Sequence, residues 1–107
     1  MRAGVREAAV FVAGAEFDVV LPDHVASLKE RRGVVRPLVH ELTRRFAVTA
    51  ADVSEPVLYR RASIGVCTLA SAPAHTDDVL DAVERFVAQR PEIDLLSVRR
   101  RLWSTDD

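Results

Sequence analysis

One segment near the start of the chain constrains the fold more than any other, because apolar residues alternate with a period of two over residues 8–21. The odd positions are apolar throughout; they are Phe11, Ala13, Ala15, Phe17, Val19 and Leu21. The even positions begin apolar at Val10 and Val12 and become acidic at Glu16 and Asp18. Successive side chains of a strand point to opposite faces of a sheet. The pattern therefore predicts a long strand whose odd face lies in the core.

A helix start follows this strand, where Ser27 and Glu30 have the spacing of a capping box. In such a box, Ser27 accepts from the Glu30 amide and the Glu30 carboxylate accepts from the Ser27 amide. Apolar residues at helical spacing extend the predicted helix to residue 45 or 46; they are Leu28, Val35, Leu38, Val39, Leu42 and Phe46. Pro37 lies inside the helix and predicts a kink, because it lacks an amide proton.

The rest of the chain supplies three more strands and a second helix. The predicted strands span residues 47–53, 60–70 and 93–103, and the second helix runs from a cap at Thr76 to about residue 89. In the last strand, alternation places Leu96, Val98 and Leu102 on one face and Ser97, Arg99, Arg101 and Trp103 on the other.

This order, β-α-β-β-α-β, defines the expected fold class. Two βαβ-type halves with right-handed crossovers give an α+β, ferredoxin-like plait. We expect a four-stranded antiparallel sheet in the order 4-1-3-2, with both helices on one face. The chain is predicted to be a single domain over residues 1–107, with loose ends at 1–6 and 104–107.

Composition excludes several classes of function. With 15 basic and 16 acidic residues, the formal net charge of −1 excludes a generally basic nucleic-acid binder but not a local basic patch. The single cysteine, Cys67, excludes a disulfide framework, and in a predicted central strand we expect it to be buried as a small apolar residue.

Chemistry-bearing clusters are also missing from the sequence. The three histidines have no ligand spacing to one another or to Cys67, so we expect no metal and no cofactor. No catalytic constellation is found, and an enzyme is not expected. No apolar run approaches the roughly 20 residues that span a bilayer, so we expect a cytoplasmic protein without a membrane partner.

The first helix concentrates positive charge. Residues 27–45 contain six basic side chains against Glu30 and Glu41, a local charge of +4. At 100° per residue, five of the basic side chains of this helix fall within about 120° of arc beside the apolar stripe; they are Lys29, Arg32, Arg36, His40 and Arg44. This predicts contacts with RNA phosphates, made by Lys29, Arg31, Arg32, Arg36 and Arg44. The alternative is a solvated helix face whose cations pair with Glu30 and Glu41.

The open sheet face gives a second hypothesis. Val10 and Val12 at its apolar end predict a surface that is covered by a second copy of the chain or that binds a small ligand. Arg101 is expected to pair with Glu16 or Asp18 within or between chains. The basic and aromatic side chains of the last strand could bind single-stranded RNA, but an RNA-binding plait usually carries its aromatic residues on the two central strands.

These motifs together resemble the YlxP-like family of small bacterial proteins of unknown function. The resemblance covers roughly residues 11–98 and rests on Ser27-Leu28-Lys29-Glu30-Arg31-Arg32, Arg44-Arg45-Phe46, Ala50-Ala51-Asp52-Val53, Tyr59-Arg60-Arg61-Ala62 and Ile64-Gly65-Val66. The chain departs from the family pattern at Arg31, Ala47, Asp52 and Tyr59, where Lys, Asn, Glu and Trp are usual.

The resemblance implies the ferredoxin-like fold and no established reaction. Genes of this family tend to lie near those for ribosome-assembly and initiation factors, which implies a link to translation. The sequence therefore predicts a non-catalytic module that associates with ribosomal RNA or a ribosomal subunit through the first helix. The alternative is a homodimeric or small-ligand-binding module that uses the open sheet face.

Overall fold

The computed structural model describes residues 8–106, and its elements follow the predicted order. The strands are β1 (Phe11–Val20), β2 (Thr49–Asp52), β3 (Arg61–Ala70) and β4 (Asp94–Ser104), and the helices are α1 (Leu28–Arg45) and α2 (Pro73–Ala88). The sheet order is β2-β3-β1-β4 with every neighbouring pair antiparallel. The predicted ferredoxin-like plait is confirmed. Within residues 8–106, no helix is long and apolar enough to cross a membrane.

The core lies between the two helices and one face of the sheet. The odd positions of β1 supply Ala13, Ala15, Phe17 and Val19, all buried as the alternation predicted. The helices supply Val35, Leu38 and Leu42 from α1 and Leu80, Val83 and Val87 from α2. Burial of a large apolar side chain stabilises the fold by about 1.5–3 kcal/mol. Since both helices use the same face, the even face of β1 stays open.

The start of α1 is a variant of the predicted capping box. The Ser27 hydroxyl oxygen accepts from the Glu30 amide at 3.1 Å, as expected. The Glu30 carboxylate, however, accepts from the Ala26 amide at 3.3 Å and from the Ser27 hydroxyl at 3.1 Å, instead of from the Ser27 amide. The helix then continues through Pro37 to Arg45.

The second helix begins three residues before its predicted cap at Thr76. Pro73 occupies the first turn, where a fixed φ and a missing amide proton suit a helix start. Thr76 is fully buried, and its hydroxyl donates to the Pro73 carbonyl at 2.7 Å. The prediction was wrong because the Thr76 hydroxyl is satisfied inside the helix, while Ala72 at the cap position makes no side-chain hydrogen bond.

A register shift in β4 changes which of its residues share a face. Asp18 pairs with Ser97 and Val19 with Leu95, so Leu96 is an extra residue at a bulge. Leu96 was predicted to share a face with Val98, but it is 52% exposed, and Leu95 and Val98 pack against the core instead.

The C-terminal end is more ordered than predicted. Ser104 belongs to β4, and the Thr105 amide donates to the Val10 carbonyl at 3.0 Å. The Thr105 hydroxyl oxygen accepts from the Val10 amide at 2.9 Å. The prediction of a loose end is therefore wrong for Ser104 and Thr105. The predicted loose residues 1–6 and Asp107 lie outside the described residues.

Candidate nucleic-acid interface

Four of the five cations predicted to contact phosphates line one exposed side of α1. These four, Lys29, Arg32, Arg36 and Arg44, are called the α1 row. Within residues 8–106, the first three form no ion pair, and Arg44 lies 4.0 Å from a carboxylate oxygen of Glu41. A helix rises 1.5 Å per residue, so the row is about 22 Å long. A line of accessible positive charge results.

The two glutamates of α1 bind groups other than Lys29, Arg32 and Arg36. Glu30 caps the helix start. Glu41 accepts from Arg90 at 2.5 Å and from Arg45 at 3.4 Å. The hydrogen bond from Arg90 holds the pKa of the Glu41 carboxyl below its usual value. The alternative of a helix face neutralised by Glu30 and Glu41 therefore does not describe Lys29, Arg32 or Arg36.

Arg31 was also predicted to contact phosphate, and this prediction is wrong. Its side chain is only 7% exposed. Nε donates to the Leu58 carbonyl at 2.7 Å, and Nη1 donates to the Asp52 carboxylate at 2.6 Å. Nη2 donates to the Ser54 hydroxyl oxygen at 2.9 Å and to the Arg61 carbonyl at 3.2 Å. Arg31 thus joins α1 to β2 and to the segment that leads into β3.

Asp52 is the acidic partner in this network. Partial burial acts to raise the pKa of the Asp52 carboxyl, but hydrogen bonds from Arg31 and Ser54 outweigh it and lower the pKa below its usual value. The Ser54 hydroxyl donates to Asp52 at 2.6 Å, and the Ser54 amide donates at 3.1 Å. Asp52 is therefore ionised at neutral pH and holds the Arg31 guanidinium in place.

A groove of about 320 Å³ runs beside the α1 row. Its apolar lining comes from Leu28, Val35, Val39 and Val57, and its polar lining comes from Arg31, Arg32, Arg36, His40 and Asp52. Leu28 and Val57 are 52% and 51% exposed, so the groove presents apolar surface to solvent. The groove therefore places apolar side chains directly beside the guanidinium groups of Arg32 and Arg36, which can donate to an anionic group.

The open sheet face carries the predicted apolar surface. Val12 is the register neighbour of Leu69 on β3 and of Trp103 on β4, so the three side chains form a row across the sheet. Val10 is 40% exposed and extends this apolar end, and Val12 is half-buried. Cys67 was predicted to be buried but is exposed, because it points to the face that no helix covers.

Ion pairs occupy the other end of the open face. Arg99 donates to Glu16 at 2.7 Å, and Arg61 donates to Asp18 at 2.5 Å. Within residues 8–106 of one chain, Arg101 pairs with neither carboxylate, so the predicted pairing within the chain is wrong. The Arg101 guanidinium instead lies 6.0 Å from the centroid of the Trp103 ring.

Sequence reasoning missed the Arg31 network and the groove beside it, although a signal for the network was present. At 100° per residue, Arg31 falls between Leu38 and Leu42 on the helical wheel, in the middle of the apolar stripe. A charged residue at that angle needs a buried acceptor. No comparable signal marked the groove, because its outer wall includes Val57 in an irregular segment.

Fold and site together define a small ferredoxin-like plait with a cationic groove beside its first helix and an uncovered sheet face. Within residues 8–106, no three His, Cys, Asp or Glu side chains come together in a way that could hold a metal ion. Residues 12–100 match the family described as "Protein of unknown function (DUF503)", and the chain belongs to this family.

The chain is also similar to the "Uncharacterized protein YlxP" of Bacillus subtilis (strain 168). The two chains are 27% identical over 89 residues, which cover 83% of this chain and 95% of the relative. The predicted resemblance to a YlxP-like family of unknown function is confirmed.

Proposed function

We propose that this protein is a non-catalytic RNA-binding module that contacts the phosphate backbone through the α1 row, with ribosomal RNA as the expected target. The observation that carries the proposal is the unpaired state of Lys29, Arg32 and Arg36, within residues 8–106, beside a groove with an apolar lining. Arginine and lysine contacts to phosphate supply most of the sequence-independent affinity of nucleic-acid binders.

The distribution of charge supports an anionic partner at this place. The whole chain has a net charge of −1, whereas residues 27–45 carry +4. Such a separation steers a polyanion to one face and away from the others. The planar guanidinium groups of Arg32 and Arg36 can each form two parallel hydrogen bonds to one phosphate.

Binding of a fluorescently labelled single-stranded RNA across a salt series tests the proposal. If about three or four phosphates are neutralised, the plot of log association constant against log salt concentration has a slope of about −2 to −3. Co-sedimentation with ribosomal subunits at low salt tests the expected target. Binding to free RNA without binding to subunits would contradict the ribosomal part alone.

Single charge removals locate the contact surface. Arg32→Gln and Arg36→Gln should each weaken RNA binding and make the salt slope shallower by about 0.7. Arg85→Gln is the matched control, because Arg85 is an exposed helical cation of α2 with no ion pair within residues 8–106. A slope near zero, or an equal loss of affinity in the control, would overturn the proposal.

The open sheet face supports the second candidate function, self-association or small-ligand binding. The observation that favours it is the exposed apolar row of Val12, Leu69 and Trp103, in which Leu69 is 67% exposed and Trp103 is 49% exposed. Patches of this kind mark interaction sites in many proteins. A measurement of the molecular mass in solution distinguishes the two, because only self-association doubles the mass.

A further inference from the structure

A trough of about 730 Å³ lies on the open sheet face, on the opposite side of the sheet from α1. Small residues of three adjacent strands line its middle; they are Ala51 of β2, Gly65 and Cys67 of β3, and Gly14 of β1. Larger side chains stand at its two sides, with Trp103 on β4 and Val53 after β2. The trough therefore has a low floor between an aromatic and an aliphatic wall.

Two glycines of the floor lie in close contact with the walls. A Cβ atom at Gly14 would lie 3.2 Å from Cζ3 of Trp103, and one at Gly65 would lie 3.0 Å from Cγ1 of Val53. Both distances are tighter than usual van der Waals contact. The absent side chains let the indole lie low over β1, yet Trp103 is still 49% exposed. An exposed ring above a flat floor offers a stacking surface for another planar ring.

The charges of the trough call for an anionic group beside that ring. Arg99 and Arg101 lie two residues apart on the same face of β4, about 7 Å from each other. Glu16 neutralises Arg99 at 2.7 Å, whereas Arg101 has no ion pair within residues 8–106. Two arginines and one glutamate leave the trough with a charge of +1. The side chain of Arg100 does not add to it, because it pairs with Asp81 at 2.8 Å.

We propose that the trough binds a nucleotide, with the base against Trp103 and the phosphate at Arg101. The volume is within the range of about 300–1,000 Å³ that is typical of small-ligand sites. Arginine forks match phosphate geometry, and tryptophan stacks on any base. The nucleotide is either free in solution or part of an RNA chain, and both sources present the same base and phosphate.

A second copy of the chain fits this face less well. Sheets that pack face to face fill the roughly 10 Å between them with interdigitating side chains. The floor at Gly14, Gly65 and Ala51 offers almost none. A second sheet would also cover the ion pair between Arg99 and Glu16, and the loss of its hydration opposes association.

The chain provides its own reporters for the test. Trp103 is the single tryptophan and Cys67 the single cysteine, and both line the trough. AMP, UMP, adenosine, inorganic phosphate and a short oligoadenylate are titrated while the Trp103 fluorescence and the rate of Cys67 reaction with a disulfide reagent are followed. AMP or UMP should quench the fluorescence and slow the thiol reaction, and adenosine or phosphate alone should do so only at much higher concentration.

Variants test the two halves of the site. Arg101→Gln should weaken nucleotide binding by about tenfold, the effect of one lost charge-assisted contact. Ala51→Phe, on the exposed edge strand, should fill the trough and abolish binding while keeping the fold, as followed by circular dichroism. Arg85→Gln on α2 should leave it unchanged. The mononucleotide titrations contain no RNA, so their result does not depend on RNA binding by the α1 row.

The possible results have separate meanings. A response to mononucleotides supports a free nucleotide as ligand, and a response to the oligoadenylate alone supports a nucleotide within RNA. No quenching and no protection of Cys67 by any of these would overturn the proposal. So would inorganic phosphate acting as strongly as AMP, or a Cys67 that is unreactive in a dimer and becomes reactive when the dimer dissociates.

Discussion

Arg31 and Arg32 are neighbours in the sequence but have opposite environments. The Arg31 guanidinium donates to Asp52, Ser54 and two backbone carbonyls. Arg32 is exposed and has no ion pair within residues 8–106. One of the two cations therefore holds α1 in place, and the other is available to a partner.

Truncation of each arginine should separate these roles. Arg31→Ala should lower the free energy of unfolding by about 2–4 kcal/mol, because Asp52 loses its partner. The expected loss is smaller than for a fully buried ion pair, because the Asp52 side chain is 27% exposed. Arg32→Ala should change it by no more than about 0.5 kcal/mol. Arg31→Lys should lie between wild type and Arg31→Ala, because it keeps the charge but not the planar fork. Urea denaturation measures all three, and equal effects of the two alanine variants would contradict the assignment.

The burial of a single residue can be predicted from its angle on the helical wheel or its parity in a strand, but not from its charge or its strand's position alone. Position 31 lies on the apolar stripe, but Arg31 was grouped with the exposed cations by its charge. In β3, Cys67 alternates with the buried residues Ile64, Val66 and Thr68, so its parity alone points to the open face. The prediction that Cys67 is buried was wrong because it treats a central strand as covered on both faces, whereas helices cover only one face of this sheet.

The position of a helix or strand was predictable where its side-chain pattern repeats over many residues. β1 has ten residues of alternation, and α1 has a cap and an apolar stripe, so both were located to within a few residues. The start of α2 was missed although Pro73 is a recognised start signal, because Thr76 offered a competing cap. The bulge at Leu96 was missed because it is a backbone irregularity that no side-chain period reveals.

The contact between α1 and β2 should depend on pH. The folded-state pKa of Asp52 lies below the ordinary value of 3.8. A carboxyl with a pKa lowered by folding contributes stability that is complete above its unfolded pKa and is lost as pH falls through the folded value. The free energy of unfolding of the wild type should therefore fall more between neutral pH and about pH 3 than that of Asp52→Asn. Urea titrations at several pH values measure both, and parallel curves would show that Asp52 does not supply this dependence.

The whole molecule presents two candidate surfaces, and β2 takes part in both. Asp52 lies in the groove beside α1, while Ala51 and the following Val53 line the trough on the open face. Alternate residues of one short edge strand thus reach opposite sides of the sheet. A nucleic-acid strand that passed around this edge would meet the α1 row on one side and the trough on the other.

The molecular mass in solution shows whether a second copy of the chain covers the open sheet face. Val12 lies between Leu69 and Trp103 at the centre of the apolar row. From the empty floor and the ion pairs of this face, we expect light scattering at tens of micromolar to give the mass of one chain. We also expect Val12→Asp to leave both that mass and RNA binding by α1 unchanged. A wild-type dimer that Val12→Asp dissociates would contradict this expectation, because a carboxylate is costly to bury without a partner, and would establish a second copy as the occupant.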